Sequence, residues 1–591
     1  MSTLGQLLRR AADHPDSGLR FLDRRERANF VSWQEIHYRA LGVAGRLESA
    51  GIAAGDRVAM IFPTGEAFFY GFFGILACGA VPVPLYPPVR LGRLQEYHLR
   101  TAGLISASGA RLVLADPRVR RILGETIERA RPALGCRTLD DLPTAPPRDE
   151  IATDRAEDLA LVQFSSGTTV DPKPVALSHR AIRAQTEALN SFWPEGHHTG
   201  VSWLPLYHDM GLIGCVFPAL ERPATLTLLP PEAFVVRPVL WLRAISRYRA
   251  TISPAPNFAY GLCLEKITDE EMDGVDLSCW QVALNGAEAV APSVLRAFRE
   301  RFARWGFQGT ALTPVYGLSE AALAVTFSPL DQPFSSTTFD RDHLAQEGRA
   351  EAADAGLELP SLGRPLPGFE LRILPVTAQD PATRAVPDGE IGKLWVRGPS
   401  LMSGYLGRPE ATARALVDGW LDTGDLGFVR DGELYLTGRA KDLIVLRGRN
   451  YAPEEIEQSL QDLPGLRTGC AIAVGWLPEG QEREILALLV ETAREATKEE
   501  IEGLPQRCSE RVLGATGLKA DRVVILEPGT LPRTTSGKLR RQEALQRYLA
   551  DELTAPNPVT GLSMIGALAR SSVAYARSRV SRPRAAEGGK G

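Results

Sequence analysis

Leu159-Ala160-Leu161-Val162-Gln163-Phe164, followed at once by Ser165-Ser166-Gly167-Thr168-Thr169-Val170-Asp171-Pro172-Lys173, decides how this chain is read. The first six residues form a short apolar run bounded by turn formers, the pattern of a buried strand. The segment after it offers four hydroxyls, a glycine and a lysine. Backbone N–H groups and hydroxyls can donate to anionic oxygens there, with Lys173 as a point charge, so the loop is a candidate phosphate cradle. It matches neither GxxxxGK[ST] nor GxGxxG, which removes support from P-loop nucleotidase and dinucleotide-binding oxidoreductase readings. Taken alone, an exposed Ser/Thr-rich turn has the same composition.

Working outward, further strand candidates lie at 58–62, 111–115, 225–229, 251–253 and 281–284, with helical patterns between most of them. Ser32-Trp33-Gln34-Glu35 opens one helix as a capping box, and Gly51 is placed to end it. Alternation of this kind predicts an α/β architecture with largely parallel sheets over the first 430 residues. From 369 to 397 the rhythm shortens, as in Glu370-Leu371-Arg372-Ile373-Leu374 and Lys393-Leu394-Trp395-Val396-Arg397, and predicts antiparallel strands of a small barrel or ribbon. The chain has 591 residues, 67 basic against 71 acidic side chains, and a net charge of −4. That length suggests about four domain-sized units, and the charge balance gives no reason to expect nucleic-acid binding. Seven scattered cysteines without a CxxC pair exclude a dense disulfide framework and a zinc-ribbon spacing. The most apolar stretch, 68–85, is broken by Gly71, Gly74, Gly79, Pro82 and Pro84, so it reads as helix, turn and strand and not as a membrane span. No apolar signal core precedes Arg9, Arg10 and Asp13, and a cytosolic protein is expected.

Two segments differ in composition. Residues 331–360 are polar and rich in alanine and acids. Residues 561–591 carry six basic residues against Glu587 alone, which predicts a disordered, solvated tail, or else a helix that forms on an acidic partner or membrane surface.

Downstream of the loop stand Asn285-Gly286-Ala287-Glu288, Tyr316-Gly317-Leu318-Ser319-Glu320, Gly419-Trp420-Leu421-Asp422-Thr423-Gly424-Asp425, Gly438-Arg439-Ala440-Lys441-Asp442 and Pro532-Arg533-Thr534-Thr535-Ser536-Gly537-Lys538. In this order and at these separations they resemble the core motifs of the acyl-adenylate-forming enzymes: acyl-CoA synthetases, nonribosomal adenylation domains and luciferases. The resemblance spans residues 4–549. Within that superfamily, Trp203-Leu204-Pro205-Leu206-Tyr207-His208-Asp209-Met210-Gly211-Leu212 is similar to the signature of the fatty acyl-AMP ligases. Pro256-Asn257-Phe258-Ala259-Tyr260, Leu446-Arg447-Gly448-Arg449-Asn450-Tyr451 and Val83-Pro84-Leu85-Tyr86-Pro87-Pro88 resemble the same branch.

The resemblance implies a large N-terminal domain over 1–437, built of parallel-sheet α/β subdomains plus a small β-barrel. It also implies a family-type insertion at 328–360, a small mobile α+β C-terminal domain over 438–552 and the basic tail at 553–591. It implies ATP and Mg²⁺ as cofactors, a fatty acid as substrate, and an acyl carrier protein or a polyketide or nonribosomal carrier domain as acceptor. The insertion is associated in the family with loss of CoA acceptance. Ser165, Ser166, Gly167, Thr168, Thr169 and Lys173 would hold the β- and γ-phosphates. Glu320 would hold Mg²⁺, a hard cation suited to a carboxylate and phosphate oxygens. Lys538 would bridge the carboxylate and the α-phosphate, where a compact charge on a flexible stem is apt. Tyr316, Gly317 and Ser319 with Gly286, Ala287 and Glu288 would frame the adenine, and Asp425 and Arg439 would contact the ribose. His208 would sit near the acyl carboxylate, and Lys441 would be the hinge of the small domain. Trp203, Phe217, Phe234, Phe258 and Tyr260 are candidates for the acyl tunnel, and all are equally explicable as core.

Two positions depart from the pattern. Val170 and Pro174 stand where relatives usually have glycine, so the loop is stiffer than in those relatives. They leave open a nucleotide-binding scaffold without catalysis, beside the alternative of an acyl-CoA synthetase.

Overall fold

Four parallel strands open the architecture, in the order Val81–Leu85, Arg57–Ile61, Leu112–Ala115 and Gly135–Arg137. Alternate residues of the central strand enter different cores, as a period of two requires. Val58 and Met60 pack with Trp33 and Ile36 of helix Trp33–Ser49 and with Phe68, Phe69 and Phe72 of helix Glu66–Ala77. Ala59 and Ile61 pack with Tyr97, Leu104 and Ile105 of helix Leu94–Ser108. Both faces are covered, which is why these strands read as unbroken apolar runs. Helix Trp33–Ser49 forms one half of the expected capping box: Ser32 accepts the Glu35 N–H at 3.1 Å, while the Glu35 carboxylate turns to Arg39 at 2.7 Å.

The structure, a computed structural model, describes residues 3–580 except 89–90, 153–154, 166–171, 447–448, 462, 479–482, 535–536 and 558–559. Within those residues a second, nine-stranded sheet runs Arg364–Pro365, Ala324–Phe327, Leu312–Gly317, Val282–Asn285, Ile252–Ala255, Gly200–Ser202, Leu226–Leu228, Gly18–Leu22, Ala28–Ser32. The six strands from Leu312–Gly317 to Gly18–Leu22 are parallel, and the outer ones are antiparallel. Ligands of open α/β sheets bind at the carboxyl ends of the strands. At those ends, on neighbouring strands, lie Trp203, Asn257-Phe258, Gly286-Ala287-Glu288 and Tyr316-Gly317.

The candidate phosphate loop is not part of either parallel sheet. Leu159–Phe164 pairs antiparallel with Pro174–Ser178, which pairs in turn with Gly404–Tyr405. The loop is therefore a hairpin connection, with the Ser165 N–H donating to the Lys173 carbonyl at 3.0 Å across its base. Pro174 is the first residue of the returning strand, a position that tolerates the missing N–H, so its stiffening effect falls on the strand start. Val170 lies outside the described residues.

The 369–397 region forms the expected antiparallel structure: Glu370–Leu374, Gly392–Arg397, Trp420–Arg430, Leu416–Val417 and Glu433–Arg439 make one sheet. Within 328–360, Ser336–Phe339 and Leu357–Pro360 form a hairpin. Phe339 anchors it, its ring centroid 5.2 Å from Phe428 and 5.6 Å from Tyr435. The C-terminal lobe has a sheet of Leu466–Trp476, Ile485–Thr492 and Arg522–Leu526, covered by helices Lys498–Thr516 and Arg541–Leu549.

The terminal segment differs from the disordered tail expected of it. Residues Gly561–Val580 form a helix docked on helix Gly124–Ala130 of the N-terminal domain. Two contacts explain why. Gly124 brings the helices so close that a Cβ there would stand 1.9 Å from the Ser571 carbonyl, and its N–H donates to Ser571 Oγ at 2.8 Å. Tyr575 donates to the Arg120 carbonyl at 2.9 Å. Two of its basic residues pair with acids there, Arg570 with Glu125 and Arg577 with Glu128. All seven cysteines are unpaired and buried. Among the described residues no helix is long and apolar enough to cross a membrane.

Candidate active site

A cleft of about 2460 Å³ lies between the N-terminal domain and the C-terminal lobe. Ser165, Lys173, Trp203, His208, Phe258, Ala287, Glu288, Tyr316, Gly317, Ser319, Glu320, Asp425, Arg439, Lys441 and Lys538 all line it. Chain positions up to 373 residues apart thus share one space. Gly286 is buried directly behind Ala287. Ser166, Gly167, Thr168 and Thr169 lie outside the described residues.

On one wall the hairpin base presents Lys173, whose ammonium stands 4.5 Å over the Tyr405 ring. The Tyr405 hydroxyl donates to Glu320 Oε1 at 2.9 Å, and Met402 N–H holds the Glu320 carbonyl at 2.8 Å. Burial, and then the Glu320 charge, push the Tyr405 phenol far above its ordinary range, so it stays a donor. One aromatic ring thereby holds a cation over its face and a carboxylate at its hydroxyl.

On a second wall, the strand pair Trp420–Arg430 and Glu433–Arg439 places Asp425 opposite Arg439. Arg439 Nε lies 2.9 Å from Asp425 Oδ1, and the Tyr316 hydroxyl donates to Asp425 Oδ2 at 2.6 Å. Asp425 is 5% exposed. The Thr423 hydroxyl accepts its N–H at 3.1 Å, and Asp422 accepts that of Gly424 at 3.0 Å. Asp422 thus serves the turn and is paired with Lys393 at 3.1 Å. The Asp425 charge raises the Arg439 guanidinium well above its ordinary range, and burial, then Asp425, raise the Tyr316 phenol. A carboxylate has about four lone-pair positions, so these two partners leave capacity for two further donors.

Ala287 follows the strand Val282–Asn285 with φ of 68°, a left-handed conformation that costs a residue with a Cβ roughly 1–2 kcal/mol. The next residue, Glu288, accepts the Phe258 N–H at 2.6 Å, so it closes the first turn of helix Asn257–Lys266, where a negative charge is favoured. Burial raises the Glu288 carboxyl, opposed by that N–H and by Lys538 and Arg533.

His208 caps the short helix Asp209–Gly211, with its ring centroid 4.9 Å from Tyr207. The Asp209 carboxylate accepts the Ser319 hydroxyl and the Met210 N–H. Opposite stands Lys538, on a loop that closes on itself: Thr534 N–H donates to the Lys538 carbonyl at 2.7 Å and Lys538 N–H to Thr534 Oγ1 at 3.0 Å. Arg533 ties the loop down, donating to the Gly537 carbonyl at 2.8 Å and to Cys470 Sγ at 2.7 Å. Burial pushes the Lys538 ammonium below its ordinary range, Arg439 adds to this, and Asp209, Glu288 and Asp425 pull it back. Lys441 is likewise lowered, by burial and then Arg439.

The aromatic candidates divide. Trp203, 3% exposed, and Phe258, 38% exposed, line the cleft with ring centroids 5.9 Å apart. Phe217, Phe234 and Tyr260 are fully buried behind it and are core. Phe234 backs Trp203 as a stacked ring at 3.9 Å, Phe217 packs on Phe72, and Tyr260 is turned inward by its bond to the Leu284 carbonyl. Tyr405 and Asp209 are site residues that motif reading passed over. Asp209 stands inside a quoted motif, but Tyr405 has no local signal, since its partners are distant in sequence.

Among proteins of known family, the AMP-binding enzymes match residues 7–406. A Caulobacter vibrioides protein provisionally named an acyl-CoA synthetase is 35% identical, over 89% of this chain and 92% of its own. The Mycobacterium tuberculosis long-chain-fatty-acid–AMP ligase FadD26 is 33% identical, over 89% and 92%. The Moorena producens medium-chain-fatty-acid–[acyl-carrier-protein] ligase JamA is 31% identical, over 89% and 91%. A solved structure from work on the fatty acyl-adenylate ligases of E. coli and L. pneumophila superposes with a TM-score of 0.86 at 33% identity, over 93% of this chain and 98% of that one. With nearly full-length likeness on both counts, the chain belongs to the AMP-binding enzyme family and is a ligase of its fatty acyl-AMP ligase branch.

Proposed function

We propose that this ligase joins a fatty acid to ATP, releasing pyrophosphate, and then passes the acyl group from the adenylate to the phosphopantetheine thiol of a carrier protein. The observation that carries the reading is the convergence of Lys538, from the C-terminal lobe, with the Tyr316–Asp425–Arg439 chain and the Lys173–Tyr405–Glu320 corner in one cleft. In the first step a carboxylate oxygen bonds to the α-phosphorus and the α–β bridging P–O bond breaks. Two anions must meet, so preorganised cations in a desolvated cleft matter most, each worth about 3 kcal/mol. Lys538 stands at the carboxylate and α-phosphate, and Lys173 with the loop residues at the outer phosphates. Asp425 takes the ribose hydroxyls, Tyr316 and the strained Ala287 turn flank the base, and Arg439 orients Asp425. His208 closes the cleft on the acyl side, and Trp203 and Phe258 begin the apolar wall.

Among the described residues no cluster of three or more His, Cys, Asp or Glu is arranged to hold an ion. A Mg²⁺ held by Glu320 and phosphate oxygens fits that donor set and would neutralise the triphosphate. In the second step the thiol sulfur bonds to the acyl carbon and AMP leaves. Lys441, in the segment joining the lobes, is the pivot that turns the lobe between steps.

The insertion favours a carrier over CoA: Arg341 pairs with Glu455, and Asp342 with Arg449 at 3.1 Å, tying it to the C-terminal lobe. The Caulobacter relative's name favours CoA instead. Incubation with ATP and fatty acids of graded length, trapping the adenylate as a hydroxamate, tests the first step. Parallel reactions with CoA and with a phosphopantetheinylated carrier test the second. No hydroxamate at any chain length would overturn the activation, and robust acyl-CoA formation would overturn the carrier assignment.

A further inference from the structure

Lys538 acts only if the lobe that bears it is held in this orientation, and one side chain of the opposite domain is built into that seam. Arg93 ends the short turn Leu91–Arg93 and precedes helix Leu94–Ser108. Its side chain is 15% exposed. Arg93 Nη2 is shared among three carbonyls from beyond the hinge, those of Gly529 (3.2 Å), Thr530 (3.1 Å) and Thr554 (2.8 Å). Its Nη1 donates to Glu96 at 3.3 Å, and Glu96 accepts Arg547 of the C-terminal lobe at 2.8 Å. Arg100, one turn on, reaches Glu543 at 3.2 Å.

These contacts lead directly to the reacting lysine. Thr530 and Leu531 are buried, and Leu531 N–H donates at 2.8 Å to Glu491, a fully buried carboxylate paired with Arg467 at 2.7 Å. From this fixed point the chain runs into the loop that Arg533 braces and that ends on Lys538. Arg93 thus grips the base of the Lys538 loop and, at Thr554, the segment that returns to the docked terminal helix. The guanidinium turns one terminal nitrogen to these carbonyls and the other to Glu96, a division that the single nitrogen of a lysine cannot reproduce.

We propose that Arg93 is a positioning residue for adenylation, holding the C-terminal lobe so that Lys538 reaches the cleft. The proposal rests on the reading of Lys538 given above. The experiment follows hydroxamate formation from dodecanoate and ATP by the full chain. Arg93→Gln is expected to lower kcat about tenfold, the equivalent of one charge-assisted hydrogen bond, with KM for ATP nearly unchanged because most nucleotide contacts lie on the N-terminal domain and do not depend on how the lobe is held. In a Lys538→Ala background the same substitution is expected to change the residual rate by less than about twofold, since a residue acting through Lys538 has nothing left to act on. Arg547→Gln loosens the same seam from the other lobe and is expected to show the same pattern, whether or not Arg93→Gln folds. A full rate in both variants overturns the proposal. So does an equal fall with and without Lys538, or a fall carried by KM for ATP. If the unsubstituted chain forms no hydroxamate with any fatty acid, the functional reading fails first and this one with it.

Discussion

Replacing Asp425 by asparagine separates a ribose ligand from a structural acid. The substitution keeps the volume and removes the charge that faces Arg439 at 2.9 Å. An amide can turn its oxygen to Arg439 or to Tyr316 but not to both, and only the tyrosine hydroxyl can reverse its role to accept. Breaking a fully buried ion pair costs about 3–5 kcal/mol. Arg439 keeps 36% of its side chain exposed, so water recovers part of this and about 2 kcal/mol is expected. The catalytic loss should be larger than that local strain, because two charge-assisted bonds to ribose hydroxyls go as well, each about 1.5–3 kcal/mol. The kcat/KM for ATP in pyrophosphate release should fall by at least about 10². Tyr316→Phe is the control: it removes one 2.6 Å bond but leaves the carboxylate, and should cost less than about tenfold. Urea titrations followed by tryptophan fluorescence report the structural part. If Asp425→Asn lowers the unfolding midpoint yet keeps kcat/KM within tenfold of the parent, Asp425 is only a brace for Arg439 and the ribose assignment is wrong.

Lys538→Ala should slow adenylate formation by about 10² or more while nucleotide binding, read by calorimetry, survives. The same lysine sets a pH dependence. Its amine is depressed below the 10.5 of a free lysine by burial, so the charged fraction declines at lower pH than usual and the alkaline limb of the adenylation rate should fall before 10.5; a limb at or above that value contradicts the role. For acceptor choice, excising 328–360 is a poor probe, because it would expose Phe428 and Tyr435 under Phe339. The pair Arg341→Ala and Asp342→Ala cuts only the ties to the C-terminal lobe and should allow measurable acyl-CoA formation, and its continued absence speaks against the insertion as a restraint. Gly124→Ala should undock the terminal helix, since its Cβ has no room beside Ser571, and render Arg570 and Arg577 sensitive to limited trypsin digestion. Equal resistance of parent and variant would show the helix is not held there.

The order and spacing of the motifs, and the apolar runs of Val58-Ala59-Met60-Ile61 and Leu159-Ala160-Leu161-Val162, determined the family and the α/β class without coordinates. Strand character and turn chemistry are local, and a run of six residues already contains the information. So is the capping of helix Trp33–Ser49 by Ser32. Which aromatic faces the cleft was not legible, because Trp203 and Phe234 are both apolar and both suit a core. Only the stacking of one behind the other puts Trp203 at the wall. Tyr405 finds Glu320, and Arg93 finds Gly529, across 85 and 436 positions, separations at which no local pattern survives. The terminal helix shows the same limit from the other side: its composition is that of a solvated tail, and Gly124, Glu125 and Glu128, far upstream, supply the surface that orders it. Sequence sets what each segment can become, and long-range packing decides which partner makes that state the stable one.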